Sequence, residues 1–498
     1  MSENEQTPTP PNAIDLPAST QADLADPPTV RRRWYWTIGP AYAGVFVWVP
    51  FFDQLGRDTL PFVSWPILIG AGLVASLLCE FLLYRPPALW GYRTGSRMSV
   101  VLSATFGTRG STWITGPILG IAAVVWHAVA LTYALDLIFR ALLDFGFILP
   151  ESLEPRRIGP ISIRPPVVLL TAFWWIFIIR IAGKSFAHVI ATLMKVYTPT
   201  ALVLLALTMI ISITGVSPDR TGGSGDLSAF QGAEGTRAIL PALQLIHLIF
   251  GYFAMAGLMA AEWGRTVPDE RDVRLGGSVG VGLTCFLTMA LSILTVAGSL
   301  GMRPNDSTNI PLRWIDPEAP PFTFIRAVER TIGGPIAGVI LALFGIATLA
   351  PACYSTSLYT HRFYRQWPFA SRKRWAWIGS IVSFLVVACH GIERTAPVFS
   401  ITGAVFAPAV GCLAADFRRQ RGHWHGVRRG YNPAGIVAWF IGLAVGLIPL
   451  LGDWLSLPMA EQFQPASLFA FVAAFLAYHL LAASGFESPT LELPRPEP

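Results

Sequence analysis

One lysine lies deep inside an otherwise apolar run of the chain. Lys195 stands about ten residues into the run 185–215, which is ~15 Å along a helix that rises 1.5 Å per residue. Its aliphatic side chain can move the ammonium group by about one helical turn, and this distance does not easily bring the charge to either membrane surface. Ionisable groups at such depth usually serve function. Because burial disfavours the charged ammonium, the amine could accept and release a proton. The alternative is a structural lysine that donates to carbonyls at an interrupted helix.

Two apolar runs carry glycine and proline where an intact membrane helix does not need them. The first has Gly39-Pro40 and then the segment 43–50, and the second is the segment 250–257. Interrupted helices are tolerated where they line a polar cavity, and interruptions at matching places in two halves indicate a transport site. The alternative is that these glycines only allow close helix packing. The residues predicted to line the substrate site at these interruptions are Phe46, Gly251 and Tyr252.

Other reactive groups form no catalytic or metal-binding pattern. The five cysteines lie singly in apolar runs without a CxxC spacing, which is typical of small buried side chains. No phosphate-binding loop of the form GxxxxGK[ST] occurs, so this chain alone is not expected to use ATP. The sequence therefore predicts no enzyme activity, no cofactor and no metal site.

The composition indicates a membrane protein. Of the 498 residues, 53% are hydrophobic and 13% are charged, whereas about a quarter of the residues in soluble proteins are charged. The net charge of +6 comes from short arginine clusters between apolar runs, and this pattern is typical of membrane loops and not of a nucleic-acid surface. We therefore expect a lipid bilayer, and not a nucleic acid, as the partner of most of the surface.

The chain divides into a transporter-sized membrane domain and two short tails. Residues 1–33 are predicted to be a disordered tail, because the first 30 are polar, acidic and rich in proline. Residues 34–486 form the membrane domain, with one repeat at 35–215, a second at 238–416 and extra helices at 432–485, and residues 487–498 are a C-terminal tail. Twelve apolar runs predict twelve membrane-spanning helices in an all-α fold. Their approximate limits are 35–57, 64–84, 112–143, 166–183, 185–215, 238–262, 275–301, 333–361, 375–392, 395–416, 432–452 and 466–485.

The distribution of basic residues predicts the orientation. If the N-terminus is inside, 23 of the 36 lysine and arginine residues fall in inside segments, and 12 are spread over longer outside loops. Basic residues concentrate in cytoplasmic loops of membrane proteins. We therefore expect a multi-pass protein of the cytoplasmic membrane with both termini in the cytoplasm.

Several short motifs resemble those of the nucleobase–cation symporter family, the cytosine, purine and hydantoin permeases. The resemblance extends from Trp34 to about Leu450 in family order. It implies a five-plus-five inverted-repeat fold with two extra C-terminal helices and with discontinuous helices 1 and 6. The motifs are Phe106-Gly107-Thr108-Arg109-Gly110-Ser111, Glu262-Trp263-Gly264-Arg265, Ala407-Pro408-Ala409-Val410-Gly411 with Ala415-Asp416, and Tyr431-Asn432-Pro433-Ala434 with Trp439 and Gly442.

The resemblance also implies where the substrate binds. In the family the site lies between the breaks of spans 1 and 6 and the faces of spans 3 and 8, and the family's aromatic positions match Trp126 and Phe253. Such a pair can sandwich a flat ring, which adds about 0.5–1.5 kcal/mol beyond the burial of its surface. The alternative is that both rings only pack or face lipid.

Two departures from the family point to a less polar site. Span 8 reads Thr348 to Tyr354 with Leu, Ala and Pro where cytosine permeases carry polar side chains, and Ala123 stands where a glutamine is expected. A site that discriminates base edges needs buried donors and acceptors. Either the substrate is less polar than cytosine, or backbone groups at the breaks recognise it.

The coupling ion follows from a similar comparison. Sodium-coupled members hold the ion between span-1 carbonyls, here near Gly44, and span-8 hydroxyls, of which Thr348 remains. Some proton-coupled relatives of this fold place a span-5 lysine near that position, as Lys195 would be. A fixed ammonium and a sodium ion a few ångströms apart repel by several kcal/mol even at an effective dielectric of 20. The prediction is coupling to a proton, with sodium less favoured.

These observations predict a secondary active transporter that imports a small flat or heterocyclic solute, such as a nucleobase, by alternating access. A transporter of the same fold for an amino acid or amine is the first alternative, although no carboxylate stands at either break. A membrane sensor or membrane enzyme is the second alternative, although the chain has short tails and no cluster of histidines or carboxylates at matched depth.

Overall fold

The computed structural model describes residues 16–24, 31–36, 55, 59–60, 62–148, 156–158, 161–163, 186–214, 239–301, 324–388, 396–455 and 462–491. Predicted span 4 and nearly all of span 1, including Gly44 and Phe46, lie outside these residues. The helices are α1 Ala18–Leu24, α2 Trp65–Thr94, α3 Met98–Asp144, α4 Phe186–Thr214, α5 Ile239–Gly264, α6 Glu270–Gly301, α7 Phe324–Thr331, α8 Gly334–Gln366, α9 Arg372–Ala388, α10 Ala396–Arg419, α11 Pro433–Trp454 and α12 Ala466–Ala483. Four short strands are β1 Arg156–Ile158, β2 Ile161–Ile163, β3 Val427–Arg428 and β4 Thr490–Leu491, and they pair antiparallel as β1 with β2 and β3 with β4.

The helices confirm an all-α membrane architecture. Among the described residues, 8 helices are long and apolar enough to cross a membrane, and these are α2, α3, α5, α6, α8, α10, α11 and α12. Helices α4 and α9 coincide with predicted spans 5 and 9. Large apolar side chains such as Ile121, Ile346 and Leu476 are more than half exposed, as expected for surfaces that face lipid chains and not water.

Three packing groups organise the described helices. The first group is α3, α8 and α9, in which α3 and α8 run along each other and both contact α9. The second group is α2, α5 and α6, in which α2 contacts both α5 and α6. Helices α10, α11 and α12 form a third group, and α5 joins it through α10. Helix α5 therefore lies between the α2 group and the C-terminal group, and this makes its faces the natural place for a site between helices.

Helix α5 differs from the prediction because it is continuous from Ile239 to Gly264. The predicted interruption of span 6 at 250–257 is therefore wrong. A Cβ on Gly251 would lie 2.9 Å from the carbonyl oxygen of Phe399, and a Cβ on Gly257 would lie 2.8 Å from the Cβ of Leu83. The two glycines thus allow close approach of neighbouring helices, which is the alternative that the sequence left open.

An interruption does occur in α3, at Gly107. Its backbone has φ 76 and ψ 166, which separates the segment 98–106 from the remainder of the helix. The break is held by the loop before α11, because Arg109 N–H donates to Gly430 O at 2.8 Å and Asn432 N–H donates to Phe106 O at 2.9 Å. A Cβ on Gly107 would lie 2.3 Å from Gly430 O, so only glycine fits here.

Replacing Gly107 by alanine is expected to destabilise the protein by about 2 kcal/mol or more, because a positive φ and a clash with backbone are both imposed. Gly70→Ala is the matched control, since a Cβ on Gly70 meets nothing within 4 Å. Thermal unfolding of the two purified variants measures the difference. Equal melting temperatures for both variants would contradict the assigned strain.

Parts of both predicted tails are docked on the membrane domain. Residues 18–24 form α1, in which Thr20 and Asp23 are buried and the hydroxyl of Ser99 donates to Asp23. The predicted disorder is therefore wrong for residues 16–24, because Asp23 finds Arg97, Arg365 and the hydroxyl of Ser99 as partners on the membrane domain. At the other end, Thr490–Leu491 pairs with Val427–Arg428.

Candidate functional site

Three aromatic rings from three helices meet inside the helix assembly. Trp126 of α3 stacks on Phe399 of α10 with ring centroids 5.3 Å apart and an interplanar angle of 19°. Tyr252 of α5 points edge-on at both rings, with centroids 5.1 Å from Trp126 and 5.6 Å from Phe399. All three side chains are buried. The cluster is a buried contact of three rings where α3, α5 and α10 converge.

The structure gives Tyr252, and not Phe253, the place beside Trp126. Phe253 is fully buried on α5, and among the described ring contacts none joins it to Trp126. The placement of a substrate ring between Trp126 and Phe253 therefore stays a prediction. Phe399 was missed from the sequence, because no motif or interruption near it marks it among the other span phenylalanines. Gly251 lies directly against the backbone of Phe399, so its role is to bring α10 close to the cluster.

His247 of α5 makes hydrogen bonds to two neighbouring helices next to this cluster. The backbone N–H of Ser467 donates to its Nδ1 at 3.0 Å, so Nδ1 carries no proton and Nε2 does. The Nε2–H then donates to the hydroxyl of Ser400 at 3.0 Å, and the hydroxyl of Ser467 donates to the carbonyl of His247 at 2.8 Å. The neutral ring thus connects α5 to α10 and α12 by hydrogen bonds. Its partner on α10, Ser400, directly follows Phe399 in the chain.

Two of the three predicted ion-coupling residues, Thr348 and Lys195, lie on helices that pack against each other. Thr348 of α8 is fully buried, and its hydroxyl donates to Phe344 O at 2.7 Å, which leaves its oxygen lone pairs free to accept or ligate. Helix α4, which carries Lys195 as its tenth residue, packs against α8. The side chain of Lys195 and all of Gly44 lie outside the described residues.

A network of ion pairs joins the ends of α3, α5 and α8. Glu262 near the end of α5 lies 3.3 Å from Arg362 of α8, 3.5 Å from Arg265 and 3.9 Å from Arg97. The backbone N–H of Met98 also donates to Glu262 at 3.3 Å. The side chains of Arg362 and Arg265 are largely buried. Removing the carboxylate would therefore take away a negative charge that these three arginines share.

Helix α1 extends the same network. Asp23 lies 3.5 Å from Arg97 and 3.3 Å from Arg365 of α8. Arg97 thus contacts both Asp23 and Glu262. This ionic cluster, formed by Asp23, Arg97, Glu262, Arg265, Arg362 and Arg365, joins four helices at the side where the arginine distribution predicts cytoplasm.

Three of the four motifs that carry the family resemblance, those that contain Phe106, Asp416 and Asn432, meet in a structural centre and not at the aromatic cluster. Thr105 donates to the carboxylate of Asp416 at 3.0 Å, and the side-chain amide of Asn432 donates to Thr105 O at 2.7 Å. Arg428 donates to Ala104 O at 2.8 Å and pairs with Glu487. These contacts hold the interrupted start of α3 in place. The motifs are therefore evidence for the fold more than for the identity of the substrate.

Solved structures share this architecture. An inward-facing conformation of Mhp1 matches with 14% identity and a TM-score of 0.59, over 92% of this chain and 94% of that chain. A closed conformation of Mhp1, described as a nucleobase-cation-symport-1 family transporter with bromovinylhydantoin bound, matches with 13% identity and a TM-score of 0.58, over 93% and 96%. The chain has the fold of Mhp1. This confirms the predicted resemblance at the level of fold.

A Na+-coupled sialic acid symporter in a substrate-bound outward-open state shares the architecture more distantly. It matches with 11% identity and a TM-score of 0.52, over 94% of this chain and 92% of that chain. No family model matches the chain, and no curated protein matches it. The likeness to Mhp1 therefore rests on the arrangement of helices and not on shared residues.

Proposed function

We propose that the chain is a secondary transporter that imports a small flat or heterocyclic solute, such as a nucleobase or related ring, across the cytoplasmic membrane by alternating access. The Mhp1 fold supports transport, because inverted-repeat transporters of this kind bind their substrates near the bilayer midplane between helix groups. The proposed orientation places both termini in the cytoplasm.

The observation that carries the substrate class is the contact of Trp126 with Tyr252 and Phe399. Flat aromatic faces on three different helices suit a planar ligand, because offset stacking and edge-to-face contacts favour a ring over an aliphatic chain of equal area. Few side-chain donors stand nearby on α8, where the sequence 349–352 is Leu-Ala-Pro-Ala. A ring recognised mainly by its faces fits this surface best. Gly251, Phe253 and Phe46 belong to the same proposal as flanking residues.

Trp126→Ala is expected to weaken binding of the substrate ring by at least about fivefold, since loss of a stacking face costs about 1 kcal/mol or more. Trp113→Ala on the same helix is the matched control, because Trp113 is 49% exposed on the outer surface. Ligand-induced thermal stabilisation, scanned over nucleobases and hydantoins, measures both variants. Unchanged binding by a monodisperse Trp126→Ala protein would refute the role of this ring.

Transport is proposed to be coupled to the proton gradient through Lys195, with Thr348 and Gly44 in the same region. The packing of α4 on α8 supports this, because it brings the lysine's helix against the helix of Thr348. Sodium coupling requires several oxygen ligands around a hard cation, and the substitutions in span 8 reduce their number.

The ionic cluster around Glu262 is proposed to act as the inner gate. Alternating access needs a barrier on each side of the substrate in turn, and this cluster joins α5 to α3 and α8 across the boundary between two packing groups. Helix α1 is proposed to strengthen the closed gate through Asp23.

A further inference from the structure

An elongated groove opens on the outer surface between α2, α10 and α12. Its volume is about 540 Å³, and its walls are mainly apolar, with Phe81 and Leu82 on one side and Phe417, Phe471 and Phe475 on the other. Arg418 and Arg421 also line the groove, and both are exposed, so we call the part of the groove beside them its mouth. The groove is thus mainly apolar, with two cationic side chains at its mouth.

The groove extends along the inner part of α10. Phe471, which lines the groove, packs on α10, and its carbonyl oxygen would be 2.5 Å from a Cβ on Gly411. Arg418 follows Gly411 by seven residues in the same helix, which corresponds to about 10 Å at the rise of a helix. In the proposed orientation the arginines lie at the cytoplasmic surface and the apolar walls extend into the inner leaflet.

The two arginines at the mouth differ from their neighbours in their ion pairs. Arg419 pairs with Glu487, Arg93 with Glu270 and Arg85 with Glu80. Within the described residues no ion pair joins Arg418 or Arg421 to a carboxylate. Both are exposed, and Arg421 has a φ of 52, a conformation that non-glycine residues rarely adopt. The mouth therefore presents two positive charges toward the membrane surface.

We propose that this groove binds an anionic phospholipid of the inner leaflet, with an acyl chain against the aromatic walls and the phosphate at Arg418 and Arg421. Basic pockets between membrane helices on the cytoplasmic side suit anionic lipid headgroups. The two arginines suit a phosphate group, and the aromatic walls suit an acyl chain. Charge complementarity thus favours a phospholipid with an anionic headgroup.

Native mass spectrometry of the purified full-length protein tests the proposal with phosphatidylglycerol and phosphatidylethanolamine of identical acyl chains. We expect phosphatidylglycerol to bind more tightly. Since each surface arginine contributes about 1 kcal/mol toward an anionic lipid, the double variant Arg418→Gln with Arg421→Gln should lower the apparent affinity about 30-fold. The control Lys373→Gln with Arg374→Gln removes two exposed charges on α9 and should change it less than twofold.

A second variant separates the groove from charge alone. Val472→Trp places a large ring at an exposed position that lines the groove, and it should abolish bound phosphatidylglycerol while leaving the net charge unchanged. Equal binding of both lipids, unchanged binding in the double arginine variant or in Val472→Trp, displacement of the lipid by inorganic phosphate, or a lipid-free dimer that occupies this face would each overturn the proposal. Binding is measured without transport, so its failure leaves the proposed function standing.

Discussion

Lys195→Met is expected to abolish accumulation of substrate against its gradient and to leave exchange of substrate across the membrane intact. Methionine keeps the length and flexibility of the side chain but cannot bind a proton. If Lys195 carries the coupling proton, its loss disconnects the movement of substrate from the proton gradient without removing the substrate site. Lys195→Arg should also fail to accumulate substrate, because arginine stays protonated.

Proteoliposomes with an imposed proton gradient, in which sodium is replaced by choline at fixed pH, measure this effect. Lys373→Met, which removes an exposed lysine at the start of α9, is the control and should transport as the unmutated protein does. A strong sodium requirement in the unmutated protein, or full accumulation by Lys195→Met, would assign Lys195 a structural role at helix-end carbonyls.

The Glu262→Gln variant is expected to shift the protein strongly toward a conformation that is open at the ionic cluster. Breaking a buried charged network by removing one partner costs about 3 kcal/mol or more, which corresponds to a population shift of roughly 100-fold. The amide can still accept from Met98 N–H, but Arg97, Arg265 and Arg362 lose the negative charge of Glu262, and Arg97 keeps its pair with Asp23.

A cysteine reporter measures the opening of this gate. Thr360, two residues before Arg362, is buried, so Thr360→Cys should react slowly with a membrane-impermeant thiol reagent in the unmutated background and much faster with Glu262→Gln. Glu270→Gln is the matched control, because the pairs of Glu270 with Arg274 and Arg93 are half-exposed at the surface and contribute little. Equal labelling rates in the two variants would remove Glu262 from the gate.

The sequence predicted the helices well where apolar length decided them. The runs 64–84, 333–361 and 466–485 each coincide with a described helix, since a membrane span must satisfy its own backbone. It failed on the continuity of α5. A glycine pattern permits either an interruption or close packing, and the choice depended on Phe399, which is 148 residues away from Gly251 in the chain.

The candidate site was predictable in part for a similar reason. Trp126 and Tyr252 were identified and lie together, but Phe399 completes their cluster through helix packing that no local motif records. The docking of α1 was hidden as well, because the partners of Asp23 are Arg97 and Arg365, both far from the tail in sequence. Long-range pairs of this kind can be recognised only after the helices are placed.

Above all, we propose that this chain transports a flat ring that contacts Trp126. The most direct measurement is uptake of a panel of labelled nucleobases, hydantoins, amino acids and amines into proteoliposomes that contain the purified protein, under an inward proton gradient. We expect at least one flat heterocycle to accumulate, and Trp113→Ala to accumulate it equally. Trp126→Ala should lose at least about 80% of the initial rate at low substrate concentration, as a fivefold loss of affinity requires. Accumulation of only amino acids or amines, or uptake of the heterocycle that is indifferent to Trp126→Ala, would contradict it.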